Sequence, residues 1–234
     1  MRLDKFLAET TGLTRSQAAK VLRQSAVTVN GKIEKSGAAK VSPDDEIYYD
    51  GERLAWVENG QYIMLHKPQG YICSHEDGDY PTIYQFFDYP LSTRLHSAGR
   101  LDVDTTGLVL LTDDGQWSHR ITSPKHHYPK TYLVTLADPV EANYAQACAE
   151  GILLRGEKEP TKPAELEILD DYNVNLTISE GRYHQVKRMF AALGNKVIAL
   201  HRWKIGDVVL DEHLAEGEFR PLTEEEIAYL GGES

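Results

Sequence analysis

The sequence predicts an α+β protein in two parts, a small helix–helix–hairpin domain followed by a larger domain on a mixed, mainly antiparallel sheet. Three observations lead there. The opening residues carry two short amphipathic helical patterns and then an alternating segment broken by Asn30-Gly31. Beyond residue 60, apolar strand patterns outnumber helical ones and lack the regular alternation of a βαβ protein. Finally, 234 residues with 41% hydrophobic and 26% charged content fit a globular chain long enough for two domains.

The elements follow in order. Leu3, Phe6 and Leu7 recur at helical spacing, and Thr14 with Gln17 forms a capping-box signature for a second helix. On that helix Ala18, Val21 and Leu22 make the apolar face, which leaves Ser16, Lys20, Arg23 and Gln24 on a polar, basic one. Val27-Thr28-Val29-Asn30-Gly31-Lys32-Ile33 then reads as a hairpin, because Asn-Gly tolerates the positive φ angles of a type I′ turn. Acidic residues follow, with Gly51 and Asn59-Gly60 as breakers, so a linker is expected near residues 57–61 and domains at 1–59 and 60–234. Strands are expected at Tyr62–His66, Gly107–Leu111, Tyr132–Leu136, Leu166–Leu169, Val174–Ile178 and Val197–Leu200. Helices are expected at Gln116–Thr122, Val140–Glu150 and Tyr183–Leu193, the last closed by Gly194 in a left-handed cap.

The net charge of -11 and pI near 5.3 argue against a phosphate-binding protein only until the charge is mapped. Residues 1–40 hold eight basic against three acidic side chains, residues 61–206 are nearly balanced, and residues 207–234 hold nine acids against one Arg. A basic amino-terminal module therefore remains compatible with nucleic acid. The apolar runs, such as Leu108–Leu111, are far too short for a membrane span and the start lacks a signal-peptide pattern, so a cytoplasmic protein is expected. Cys73 and Cys148 have no metal-ligand spacing and read as ordinary thiols.

The chemistry concentrates in Gly99-Arg100-Leu101-Asp102-Val103-Asp104-Thr105-Thr106-Gly107-Leu108, where acids, hydroxyls and glycines precede a short apolar strand. Asp102-x-Asp104-x-Thr106 matches the phosphorylated-aspartate pattern of haloacid-dehalogenase hydrolases. That pattern follows a buried strand, which Leu95–Arg100 does not resemble. A calcium loop would need flanking helices and a closing Glu, and neither is suggested.

Gly99-Arg100-Leu101-Asp102 followed by Thr106-Gly107-Leu108 resembles the nucleophile motif of the pseudouridine synthases. Glu180-Gly181-Arg182-Tyr183-His184-Gln185-Val186-Lys187-Arg188-Met189 resembles the late basic motif of the branch that carries an amino-terminal S4 module. Lys67-Pro68-x-Gly70-Tyr71 and Lys130-Thr131-Tyr132 resemble two further blocks, and residues 1–55 or so resemble the S4 module itself. The resemblance implies a pseudouridine synthase catalytic domain that extrudes a uridine from its helix and moves the uracil link from N1 to C5. It implies a catalytic set of Asp102 as nucleophile, Tyr132 stacked on the base and Lys187 as counter-cation, without metal or other cofactor. Superfamily members commonly have Arg at the position of Lys187, and a lysine lacks the bidentate fork. Arg188 lies one helical step, about 100°, away and cannot point at the same carboxylate equally well. Arg100, Lys67, Arg182 and Arg188 become substrate-binding candidates, and Arg15, Lys20, Arg23 and Lys32 RNA-phosphate candidates. The implied partner is 16S ribosomal RNA or a small-subunit assembly intermediate, at uridine 516, bound by a monomer. A sister enzyme acting on large-subunit RNA and a non-catalytic S4-type RNA-binding protein stand as alternatives.

Overall fold

A computed structural model describes residues 1–56, 60–76, 78–123 and 128–232. The chain forms two compact units, Met1–Gly60 with Phe87–Leu95, and Gln61–Phe86 with His96–Ser234. The expected linker falls mainly on residues 57–59, outside the described residues.

In the first unit, helices α1 (Leu3–Thr11) and α2 (Arg15–Arg23) precede strands β1 (Val27–Val29), β2 (Lys32–Ile33), β3 (Ile47–Tyr49) and β4 (Glu52–Leu54). The strands form an antiparallel sheet in the order β2-β1-β3-β4. The capping box is present: Gln17 N–H donates to Thr14 Oγ1 at 3.2 Å, and Thr14 N–H donates to Gln17 Oε1 at 2.8 Å. Asn30 and Gly31 adopt φ of 50° and 76°, the left-handed pair that the hairpin turn requires. Leu3, Phe6 and Leu7 pack with Ala18, Leu22, Val27, Val41 and Ile47 into one core, where each large side chain contributes about 1.5–3 kcal/mol. That packing leaves the polar face of α2 outward.

In the second unit, strand β5 (Tyr62–Lys67) leads through a 3-10 turn at Ile83–Phe86 to the short helix α3 (Leu91–Arg94), which clusters with the first unit. Strands β6 (His96–Ser97) and β7 (Thr106–Thr112), helix α4 (Gly115–Thr122), strand β8 (Lys130–Leu136) and helix α5 (Tyr144–Glu150) come next. They are followed by β9 (Glu165–Ile168), β10 (Asn173–Ile178), helix α6 (Gln185–Ala192), β11 (Val197–Ile205), β12 (Val208–Val209), β13 (Phe219–Pro221) and helix α7 (Glu224–Gly231). The large sheet runs β13-β5-β7-β11-β8-β10-β9, with β6 on β7 and β12 on β11, and among the described residues only the strands β7 and β11 pair in parallel. The mainly antiparallel mixed sheet is thus as expected.

Two expectations change in detail. Strand β11 runs five residues beyond Leu200, because His201-Arg202-Trp203-Lys204 continues the ladder with β8 despite its polarity. Helix α5 begins at Tyr144, with Val140 held instead by a hydrogen bond to Asp171 O.

The parallel pair fixes the site. A Cβ at Gly107, whose φ is 110°, would lie 2.1 Å from Arg202 O, so only glycine lets β7 and β11 approach. Gly107→Ala is expected to destabilise the protein by about 3 kcal/mol or more, read as a lower urea midpoint at unchanged slope.

Candidate active site

Asp102 lies in the loop before β7, and the residues beneath it are committed to holding that loop. Lys67, at the end of β5, is fully buried. Its ammonium donates to Thr105 O at 2.7 Å, Pro68 O at 3.0 Å and Val103 O at 3.5 Å, and burial lowers its pKa. Gly70 N–H adds a bond to Val103 O at 2.7 Å. Lys67, expected as a substrate contact, is placed as a brace under the Asp102 loop and does not line the cavity that Asp102 faces.

The cation comes from α6. Lys187 Nζ donates to Asp102 Oδ2 at 2.9 Å and to Asp104 Oδ1 at 2.6 Å, and His184 Nε2 lies 3.5 Å from Asp102 Oδ1. Burial alone would lower the Lys187 pKa, but the hydrogen bonds and charges of the two carboxylates outweigh it and raise the value. Asp104 is correspondingly lowered, its burial offset by the bond to Lys187. One ammonium thus serves two acids.

The start of α6 is built to present Lys187. Gln185 Oε1 accepts from Arg182 N–H at 2.8 Å, while Gln185 Nε2 donates to Glu180 Oε1 at 3.0 Å. His184 takes φ 45° at the helix start, and the exposed ring of Tyr183 stacks on it at 3.8 Å between centroids. Arg182 is tied to Glu180 Oε2, Glu159 O and Pro160 O. Arg188 donates to Tyr183 O, Arg155 O and Glu157 Oε1 and does not line the cavity that Asp102 faces. Its offset of about 100° from Lys187 sends Arg188, expected as a substrate contact, to the 155–157 segment.

That cavity has a volume of about 540 Å³ and is lined by Arg100, Asp102, Tyr132, Arg182 and Lys187 among others. Arg100 is exposed and forms no hydrogen bond or ion pair among the described residues. Tyr132 is nearly buried on β8 and stands opposite Arg202 of β11. Arg202 is 3% exposed, donates through Nε to Leu108 O at 2.9 Å and keeps a buried Nη2 without acceptor. Lys130, two residues before Tyr132, also lines the cavity; burial and then the Arg202 charge lower its pKa to about 8. A cavity of this size takes a nucleobase and offers it a carboxylate, a phenol ring and cations.

The family model described as RNA pseudouridylate synthase matches residues 61–192, which contain the Asp102 loop, Tyr132 and the whole of α6. The chain belongs to this pseudouridine synthase family. An S4 domain model matches residues 1–47. The chain is 80% identical over 230 residues to a ribosomal small subunit pseudouridine synthase A from Haemophilus influenzae, covering 98% of this chain and 99% of that one. It is 58% identical to the Escherichia coli K12 protein of the same description, covering 97% and 99%. A solved structure described as pseudouridylate synthase aligns with TM-score 0.73 at 78% identity, covering 98% and 99%. As a pseudouridine synthase the chain is an isomerase.

Within this synthase, the S4-matching unit carries Arg15, Lys20, Arg23 and Lys32 exposed and without ion pairs among the described residues. Arg15, Arg23 and Lys20 fall within an arc of about 140° on α2. Asp104, His184, Lys130 and Arg202 were given no role in a synthase site from sequence, Asp104 having been weighed only as the second acid of the hydrolase pattern. Asp104 and His184 could have been found inside motifs already read, whereas Arg202 sits in a polar stretch whose burial appears only with the β7–β11 pairing.

Proposed function

We propose that this chain converts uridine 516 of 16S ribosomal RNA to pseudouridine, on the RNA or on a small-subunit assembly intermediate. The observation that carries this is the Lys187–Asp102 pair, 2.9 Å apart, at a base-sized cavity, in a chain 80% identical to a small-subunit enzyme. Asp102 is the nucleophile. Lys187 holds it ionised while the cavity closes and water leaves. Tyr132 stacks on the flipped uracil, and Arg100 and Arg182 contact the flipped nucleotide at the cavity mouth. Residues 1–59 form the RNA-anchoring domain and residues 60–234 the catalytic one, working as a cytoplasmic monomer without a cofactor. No helix among the described residues is long and apolar enough to cross a membrane.

Purified protein incubated with 16S RNA and with partly assembled small subunits tests the proposal. Pseudouridine mapped at this one uridine in either substrate supports it, and none in both contradicts it.

The α2 cations give a separate expectation. Lys20→Ala with Arg23→Ala should weaken RNA binding and reduce the slope of log affinity against log salt by about 1–2, since each lost phosphate contact removes roughly 0.7–0.9. Titrations at several salt concentrations check it, and unchanged affinity removes α2 from the RNA surface.

A further inference from the structure

We propose that Lys130 and Arg202 form the floor of the active-site cavity that receives the carbonyl oxygens of the flipped uracil and holds the negative charge the ring acquires during transfer. The proposal rests on the reading of Asp102 as nucleophile, and its placement comes from the sheet. Lys130 and Tyr132 are two residues apart on β8, so their side chains share a face. Arg202 of β11 is registered directly opposite Tyr132, which puts it on that face too. All three line the cavity into which Asp102 projects.

Among the described residues neither cation has an ion-pair partner. The acids of the cavity are engaged elsewhere, Asp102 by Lys187 and Glu180 by Arg182 and Gln185. The Lys130 ammonium makes no hydrogen bond or ion pair among the described residues. Arg202 uses only Nε, and its Nη2 is enclosed without an acceptor. Two neighbouring desolvated cations are unfavourable in a resting protein, and the lowered pKa of Lys130 reflects the same two causes, burial and Arg202. An arrangement that is costly at rest suits a site where charge develops in the transition state.

The reaction supplies that charge by either route open to Asp102. If the carboxylate takes C1′, its oxygen–carbon bond forms as N1–C1′ breaks, and the bonding pair stays on the ring, spread over N1, O2 and O4. If it takes C6, its oxygen–C6 bond forms as the C5=C6 π pair shifts to C4–C5 and the C4=O4 π pair moves onto O4. The depth of the floor favours the base over a backbone phosphate: Arg202 is 3% exposed, whereas Arg100 is exposed at the mouth.

Lys130→Met is the test, because Arg202 also supports Leu108 O and its removal would disturb the sheet. Single-turnover pseudouridine formation on 16S RNA should fall by about 100-fold or more, with RNA affinity within about threefold of wild type and Lys130→Arg recovering most of the rate. Lys130→Gln repeats the measurement should Lys130→Met fold poorly. A methylphosphonate replacing the phosphate 5′ to the target should slow wild type and Lys130→Met by the same factor. A rate within about threefold of wild type in Lys130→Met or Lys130→Gln, a methylphosphonate penalty that vanishes in Lys130→Met, or a rate loss matched by lost affinity would each overturn the proposal. Asp102→Asn assayed in parallel separates the two readings. An inactive Asp102→Asn beside an unimpaired Lys130→Met sinks the floor alone, while product from Asp102→Asn at the wild-type rate sinks the nucleophile.

Discussion

Asp102→Asn is expected to yield a folded protein that binds RNA as tightly as wild type and forms pseudouridine at least about 10⁴-fold more slowly. The substitution conserves size and removes the charge and nucleophilicity of one oxygen pair. The Asp102 side chain is about a third exposed and shares Lys187 with Asp104, so losing the pair costs within about 1 kcal/mol of stability. Lys187 retains Asp104 at 2.6 Å, and the loop keeps its Lys67 brace. Thermal unfolding and RNA titration should therefore hardly change while the single-turnover rate collapses.

Lys187→Met should have the next largest effect, a loss of about 10²–10³-fold in single-turnover rate at nearly unchanged RNA affinity. Without the ammonium, Asp102 and Asp104 lose the cation they share, and RNA binding then removes the water that screens them. Lysine acts through Asp102, so it is a positioning residue, and Lys187→Arg distinguishes that role from general packing. Arg keeps the charge and adds a fork, and it should restore activity to within about tenfold of wild type. A Lys187→Met enzyme as fast as wild type would remove the ion pair from the mechanism.

Most of the fold could be read from local signals. The capping box at Thr14, the Asn30-Gly31 turn and the apolar strands all rest on interactions within a few residues, and they form as expected. Two local signals were passed over. Asp50-Gly51 makes the same left-handed turn as Asn30-Gly31 and joins β3 to β4, and Thr223 with Glu226 caps α7 as Thr14 with Gln17 caps α2. Long-range facts were less accessible. Whether Lys67 reaches substrate or the carbonyls of the Asp102 loop depends on β5 lying beside β7, and the direction of Arg188 depends on the 155–157 segment. The burial of Arg202 follows from Gly107 admitting β11. The family resemblance carried the Asp102–Lys187 pair across 85 positions, but it did not show that Asp104 takes a share of the same lysine.

The central claim is that Asp102 drives an isomerisation that moves C1′ from N1 to C5 of one uracil, and this must release the hydrogen on C5. The most direct measurement is tritium release from 16S RNA labelled at C5 of its uridines, under single-turnover conditions with all RNA bound. Wild type should release the tritium of the one target uridine in step with pseudouridine formation, and Asp102→Asn should release none from an equally occupied complex. Release by Asp102→Asn at the wild-type rate, or pseudouridine formation by wild type without release, would contradict the mechanism.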